Sequence, residues 1–146
     1  MRTRLCVAAL AVLALVVANS LRAADEKPEL KCPVSGKAVD ATKTVDFNGG
    51  KVAFCCENCP KAFNANSKKF AAKANLQLVQ SKQLKQIKCP LTGRPMAADK
   101  SVDVAGVTVS LCCGNCLKKA NGVSGDELIA LLFGNPKPGS FEAAAK

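Results

Sequence analysis

Along the chain the apolar positions first run together and then alternate. Residues 5–18 are almost continuously apolar behind Arg2 and Arg4, and small residues with a charged break follow in "ANSLRAADEK". A basic start, an apolar core and a small-residue exit predict a secretory signal peptide over 1–23. The run is short for a membrane span and no second one follows, so no integral membrane segment is expected after cleavage. Cys6 sits at the front of the run, away from the cleavage point, and is not read as a lipid-anchor cysteine.

Beyond it the period changes to two. Val45 and Phe47 alternate with polar neighbours, "NGG" turns the chain, and Val52 and Phe54 alternate back, which predicts a β-hairpin. Val102, Val104, Val109 and Leu111 repeat the pattern around Gly106. Each hairpin is preceded by a short strand, over 30–32 or 87–89, that enters a Cys-Pro-x-[Ser/Thr]-Gly turn. Each is followed by a helix that begins within a Cys-x-x-Cys stretch. Second helical pieces are expected from Ser67 and from Ser124, where Glu127 lies three residues on as in a capping box. "LIALLF" gives the last helix a wholly buried look. Residues 76–86 suit helix or strand equally, and 135–146 read as a flexible C-terminal tail.

The two hairpins belong to a duplication. Cys32 and Cys89, Cys55 and Cys112, Cys56 and Cys113, and Cys59 and Cys116 are each 57 positions apart. The same offset pairs Pro33 with Pro90, Gly36 with Gly93, Asp46 with Asp103, Gly49 with Gly106 and Asn58 with Asn115. No gap is needed. The expected organisation is therefore a first unit over 24–80 and a second over 81–134. The expected class is α+β, two tandem units each made of a Cys turn, a hairpin and a helix.

Composition narrows the function. The full chain carries a net charge of +10, with no His, Trp or Tyr and only 6 Phe. Loss of Arg2, Arg4 and Arg22 with the signal peptide leaves +7. Without His, the commonest general base and the Cys-His or Ser-His nucleophile pairs are absent, and no enzymatic role is expected. So few rings give no stacking platform for nucleic acid. A unit of roughly 57 residues with so few large apolar side chains buries too little to stand alone, and such chains use a metal, disulfides or a partner.

Eight cysteines remain in the mature chain: Cys32, Cys55, Cys56 and Cys59, and Cys89, Cys112, Cys113 and Cys116. Cys55 and Cys59 share a helical face, Cys56 and Cys59 have Cys-x-x-Cys spacing, and Cys32 arrives from a separate turn. Four ligands drawn from two distant segments is how small treble-clef-like zinc modules are built, and thiolates suit Cu(I) as well as Zn(II). About two ions per chain are expected. Lys31, Lys37 and Lys61 in one unit, and Lys88, Arg94, Lys118 and Lys119 in the other, are candidates to offset thiolate charge. The rival is a disulfide-stapled binding module, since export implies an oxidising compartment. A third reading uses "CENC" and "CGNC" as thiol–disulfide redox pairs, without the usual βαβ frame.

"CPVSGKAVD" with "TVDFNGGKVAFCCENCPKAF" and "NSKKF", and "CPLTGRPM" with "SVDVAGVTVSLCCGNCLKK", resemble the YHS/TRASH family of small metal-binding modules. The apolar residue before Cys-x-x-x-Cys and a basic helix start falls on Phe54, Cys55, Cys59 and Lys61. The resemblance implies a treble-clef-like fold, and zinc or copper held by Cys55 and Cys59 and by Cys112 and Cys116 in a metal-handling protein; the signal peptide is what places it in the periplasm or exterior. The family's upstream cysteine precedes the turn glycine, where this chain has Ser35 and Thr92. Cys56 and Cys113 are natural replacements; a three-sulfur site with an exchangeable fourth position is the alternative. Phe63 also becomes Ala120 in the second copy, which implies a looser core there.

Overall fold

The computed structural model describes residues 29–144. The signal peptide read over 1–23, with Cys6, lies outside the described residues. In the first unit β1 (Asp40–Phe47) and β2 (Gly50–Phe54) pair antiparallel, with Val45 opposite Val52. The two-residue turn between them is Asn48 at φ 49° and Gly49 at φ 83°, the left-handed pair that matches strand twist. In the second unit β4 (Ser101–Val104) and β5 (Val107–Ser110) pair with Val102 opposite Val109. There Ala105 takes the first left-handed position at φ 48°, a strained choice for a residue with a Cβ.

Helices follow each hairpin. α1 (Asn58–Ala65) and α2 (Ser67–Gln80) complete the first unit, and Asn66 caps α2 by accepting from the Lys69 N–H. α3 (Gly114–Asn121) and α4 (Gly125–Ile129) complete the second, and α4 runs on as a π-helical turn over Ala130–Gly134. The capping box expected at Ser124 does not form, because its side chain makes no cap hydrogen bond. The chain enters α4 through Gly125 at φ 56°, which turns the backbone out of the geometry a Ser cap needs. Nor is "LIALLF" buried throughout. Leu128, Leu132 and Phe133 are, whereas Ala130 is exposed.

Two cores flank one helix. Val52, Phe54, Phe63, Ala74, Leu78 and Leu84 gather around Cys32 and Cys59. Val104, Val109, Leu111, Leu128, Leu132 and Phe133 gather around Cys89 and Cys116, with Leu76 of α2 among them. α2 thus presents Ala74 and Leu78 to one core and Leu76 to the other. Asn75, 5% exposed, accepts from Asn48 Nδ2 at 2.7 Å and donates to the Phe133 carbonyl at 2.8 Å. The ambiguous segment 76–86 resolves as the end of α2 followed by a short strand, β3 (Leu84–Gln86).

Two expectations at the unit edges need correction. The short strands expected at 30–32 and 87–89 are absent as such: the first is a single bridge, Lys31 to Ala38, and β3 ends before Ile87. The C-terminal segment does not fray within 141–143, because β6 (Phe141–Ala143) pairs antiparallel with β3. Lys137 N–H donates to the Pro90 carbonyl at 3.0 Å, and the Ser140 hydroxyl donates to the Cys89 carbonyl at 3.2 Å. Phe141 stacks on Phe133 with centroids 5.5 Å apart. Paired backbone and a half-buried ring stacked on buried Phe133 fix a stretch whose Pro and Gly content reads as loose. Among the described residues no helix is long and apolar enough to cross a membrane.

Candidate metal centres

Each site begins with a tight turn. Gly36 N–H donates to the Cys32 carbonyl at 2.8 Å, and Cys32 N–H donates to the Lys37 carbonyl at 2.8 Å. The second unit repeats this with Gly93 to Cys89 at 2.8 Å and Cys89 to Arg94 at 2.9 Å. Gly36 at φ 73° and Gly93 at φ 74° are where only glycine turns freely. The turn points Cys32, and in the other unit Cys89, inward; they are 1% and 0% exposed.

The remaining sulfurs come from the strand-to-helix junction. Cys55 follows the end of β2 and Cys59 lies in the first turn of α1, with Cys112 and Cys116 in the matching places. The Sγ atoms of Cys32, Cys55 and Cys59 all lie within 4.8 Å of one another, as do those of Cys89, Cys112 and Cys116. Cys55 and Cys59 are 3.6 Å apart, and Cys112 and Cys116 are 3.7 Å apart. A tetrahedron with bonds of about 2.3 Å has an edge of about 3.8 Å, which the Cys55–Cys59 and Cys112–Cys116 separations match. They are well beyond the bonding distance of about 2.05 Å in a disulfide. All eight described cysteines are free.

Cys56 and Cys113 stand apart from these trios. Cys56 is exposed and Cys113 half-buried, and neither joins its trio's mutual grouping. Each still touches its trio: Cys56 lies 3.5 Å from Cys59 and also hydrogen-bonds Cys55, and Cys113 lies 3.7 Å from Cys112 and also hydrogen-bonds Cys116. The structure therefore brings six of the eight predicted ligands into two closed sets and leaves the other two at their rims.

Hydroxyls and amides set the charge. Burial pushes the Cys32 thiol up, but hydrogen bonds from the Ser35 hydroxyl and the backbone of Ser35, Cys55 and Val34 outweigh it and bring it to about 6. Cys89 falls to about 7 in the same way, burial being outweighed by the Thr92 hydroxyl and the surrounding N–H groups. Hydrogen bonds dominate here, not the lysines that flank the sites in sequence. Cys59 goes the other way, pushed to about 12 by burial first and then by donating to its neighbouring sulfurs beside the Cys32 charge. Burial likewise raises Cys116. Each trio thus combines a ready thiolate with a thiol that gives up its proton only to a metal. Ion affinity is accordingly expected to rise by about tenfold per pH unit for each displaced proton, Cys59 and Cys116 contributing across pH 7–9 because both stay protonated there without metal. Competition titrations at pH 7, 8 and 9 measure this; a flat profile contradicts it.

The sequence reading missed the residues that hold the sites in place. Ser35 Oγ lies 3.1 Å from Cys55 Sγ, and Thr92 Oγ1 lies 3.1 Å from Cys112 Sγ. Glutamines close the open strand edges. Gln77 Oε1 accepts from the Ala53 N–H at 2.7 Å, and its Nε2 donates to the Ala53 and Lys31 carbonyls at 2.8 and 3.0 Å. One side chain thereby joins β2 to the Cys32 turn. Gln86 does the same for Ser110, the duplicate of Ala53, accepting at 2.9 Å and donating at 2.6 Å. Gln83 pairs with both backbone groups of Lys51, at 2.6 and 2.9 Å. The available signal was Gln at every third position through "QLVQSKQLKQ".

No protein-family model matches the chain, and no curated protein and no solved structure matches it either. What the molecule carries on its own residues is two cysteine clusters placed to hold a metal ion.

Proposed function

We propose that this is an exported, non-enzymatic metal-handling protein. Each half holds one soft or borderline ion, Zn(II) or Cu(I), in a treble-clef-like unit of the YHS/TRASH kind. The observation that carries the reading is the convergence of three sulfurs from two distant segments, twice, at metal-ligand spacing. Cys32 and Cys89 supply the first thiolates, and Cys55 with Cys59, or Cys112 with Cys116, close around the ion. Bound metal supplies cohesion that each small core lacks, and a third or fourth thiolate fixes its preference for soft cations. Nothing in the cysteine geometry demands a redox step, and the Cys-x-x-Cys spacing is explained by its place at the helix start.

Elemental analysis of protein purified from its native compartment tests this, together with thiol titration after chelation. Two ions per chain and eight titratable thiols are expected of the mature protein. Absence of metal together with absence of free thiols would mean a disulfide-stapled module and would overturn the proposal.

A further inference from the structure

We propose that Cys56 and Cys113 are the exchange ligands of the two sites: the thiols through which an ion enters and leaves, rather than members of its resting shell. The inference rests on the metal-binding reading above and adds the route and the chemistry of the donor or acceptor.

In the first unit accessibility separates exposed Cys56 from its trio, and in the second, where Cys112 and Cys113 are both half-buried, position outside the mutual grouping separates Cys113. Cys32 and Cys59 are 1% and 7% exposed, Cys89 and Cys116 0% and 7%, and Cys55 and Cys112 are half-buried. An ion seated among them is walled by the two buried sulfurs of its trio, which leaves a second protein's ligands only the half-buried side. Exchange of a tightly held ion runs through shared coordination, so some ligand of this chain has to reach the surface while others still hold the metal. Cys56 meets that need in the first unit. It is exposed, yet its sulfur lies 3.5 Å from that of buried Cys59. In the second unit Cys113 lies 3.7 Å from Cys112 and also hydrogen-bonds buried Cys116, so it meets its trio in the same way.

Backbone placement supports the division. Cys56 sits in the bend before α1, and Cys113 is the extended residue that precedes α3, at φ −165° and ψ 167°. Neither is locked inside a helix, whereas Cys59 and Cys116 are. The half-buried trio sulfurs are engaged by hydroxyls, Cys55 by Ser35 and Cys112 by Thr92, each at 3.1 Å. Cys56 is left as the exposed sulfur of the first unit, and Cys113, half-buried, stands at the rim of the second with no hydroxyl on it among the described residues.

The exchange is balanced. One metal–sulfur bond forms from an incoming thiol, which releases its proton, as one metal–sulfur bond breaks and the leaving thiolate takes a proton up. No electron moves. The matching partner is a small molecule or protein that offers soft ligands, thiol or thioether, at an exposed position.

The test compares the wild type with Cys56→Ser/Cys113→Ser, both loaded with Zn(II). Equilibrium affinity is measured by competition with a chromophoric chelator, and the rate of transfer to that chelator by stopped flow. The double variant is expected to keep two ions with affinity within about threefold of wild type, while transfer slows by about tenfold or more. Cys56→Ser alone should slow one of the two kinetic phases and leave the other unchanged. A loss of affinity of about a hundredfold would make these cysteines permanent ligands and overturn the inference, and unchanged transfer rates would overturn it too. Both outcomes leave metal binding itself standing. A wild type that takes up no Zn(II) or Cu(I) removes the reading on which the inference is built.

Discussion

Replacing Cys59 by Ser is expected to reduce the metal content from two ions per chain to one and to weaken the first site by more than about a hundredfold, beyond what loss of a supporting partner costs. Ser is close to isosteric, so the change removes a thiolate while keeping the packing. Cys59 lies within the first core beside Val52, Phe54 and Phe63, and it contacts both Cys55 and Cys56. With Cys32 it is one of the two buried sulfurs of the trio. The effect should extend to folding. Structural zinc sites contribute on the order of 10 kcal/mol of apparent binding energy, and in a unit this small that energy is folding energy. Metal analysis and denaturant unfolding of Cys59→Ser, Cys116→Ser and the double variant measure both consequences. The single variants should each keep the other unit's ion, and the double variant should keep none. A Cys59→Ser protein that still holds two ions at wild-type affinity contradicts the account.

Phe63→Ala should destabilise the first unit by about 3–5 kcal/mol. Phe63 is 1% exposed and centres a ring cluster, with centroids 5.1 Å from Phe47, 5.3 Å from Phe54 and 6.5 Å from Phe70. It lies one helical turn after Cys59 on the same face of α1, so the cavity opens directly behind a metal ligand. The second unit gives an internal comparison. Its equivalent residue is Ala120, 0% exposed, and Leu128, Leu132 and Phe133 fill that core instead. Hydrogen exchange resolved by segment should therefore show faster opening in α1 and β2 than in α3 and β5. Equal acceleration in both halves would mean that the shared helix α2 makes them one cooperative unit.

What could be read from the sequence was what local chemistry dictates. Alternation placed both hairpins, Asn48-Gly49 fixed the first turn, and the offset between repeats placed equivalent cysteines in equivalent places. Ser67 marked the start of α2 because Asn66 can cap there. The rest depended on partners far along the chain. Nothing local in "GSFEA" announces that Phe141 will pair opposite Gln86. Gln77 reads as a surface residue of an amphipathic helix until β2 is seen to have no strand on the edge away from β1, which makes the side chain its substitute at Ala53. The division of the cysteines was equally hidden. Spacing puts Cys55 and Cys56 on equal terms, and only the direction in which β2 hands over to α1 sends one sulfur inward and the other to the rim.

The most direct measurement is X-ray absorption at the metal edge of the protein carrying two ions. The account predicts a first shell of at least three sulfurs per ion at about 2.3 Å for zinc, from both halves of the molecule alike. A shell dominated by oxygen or nitrogen at about 2.0 Å, or fewer than three sulfurs per ion, would contradict it.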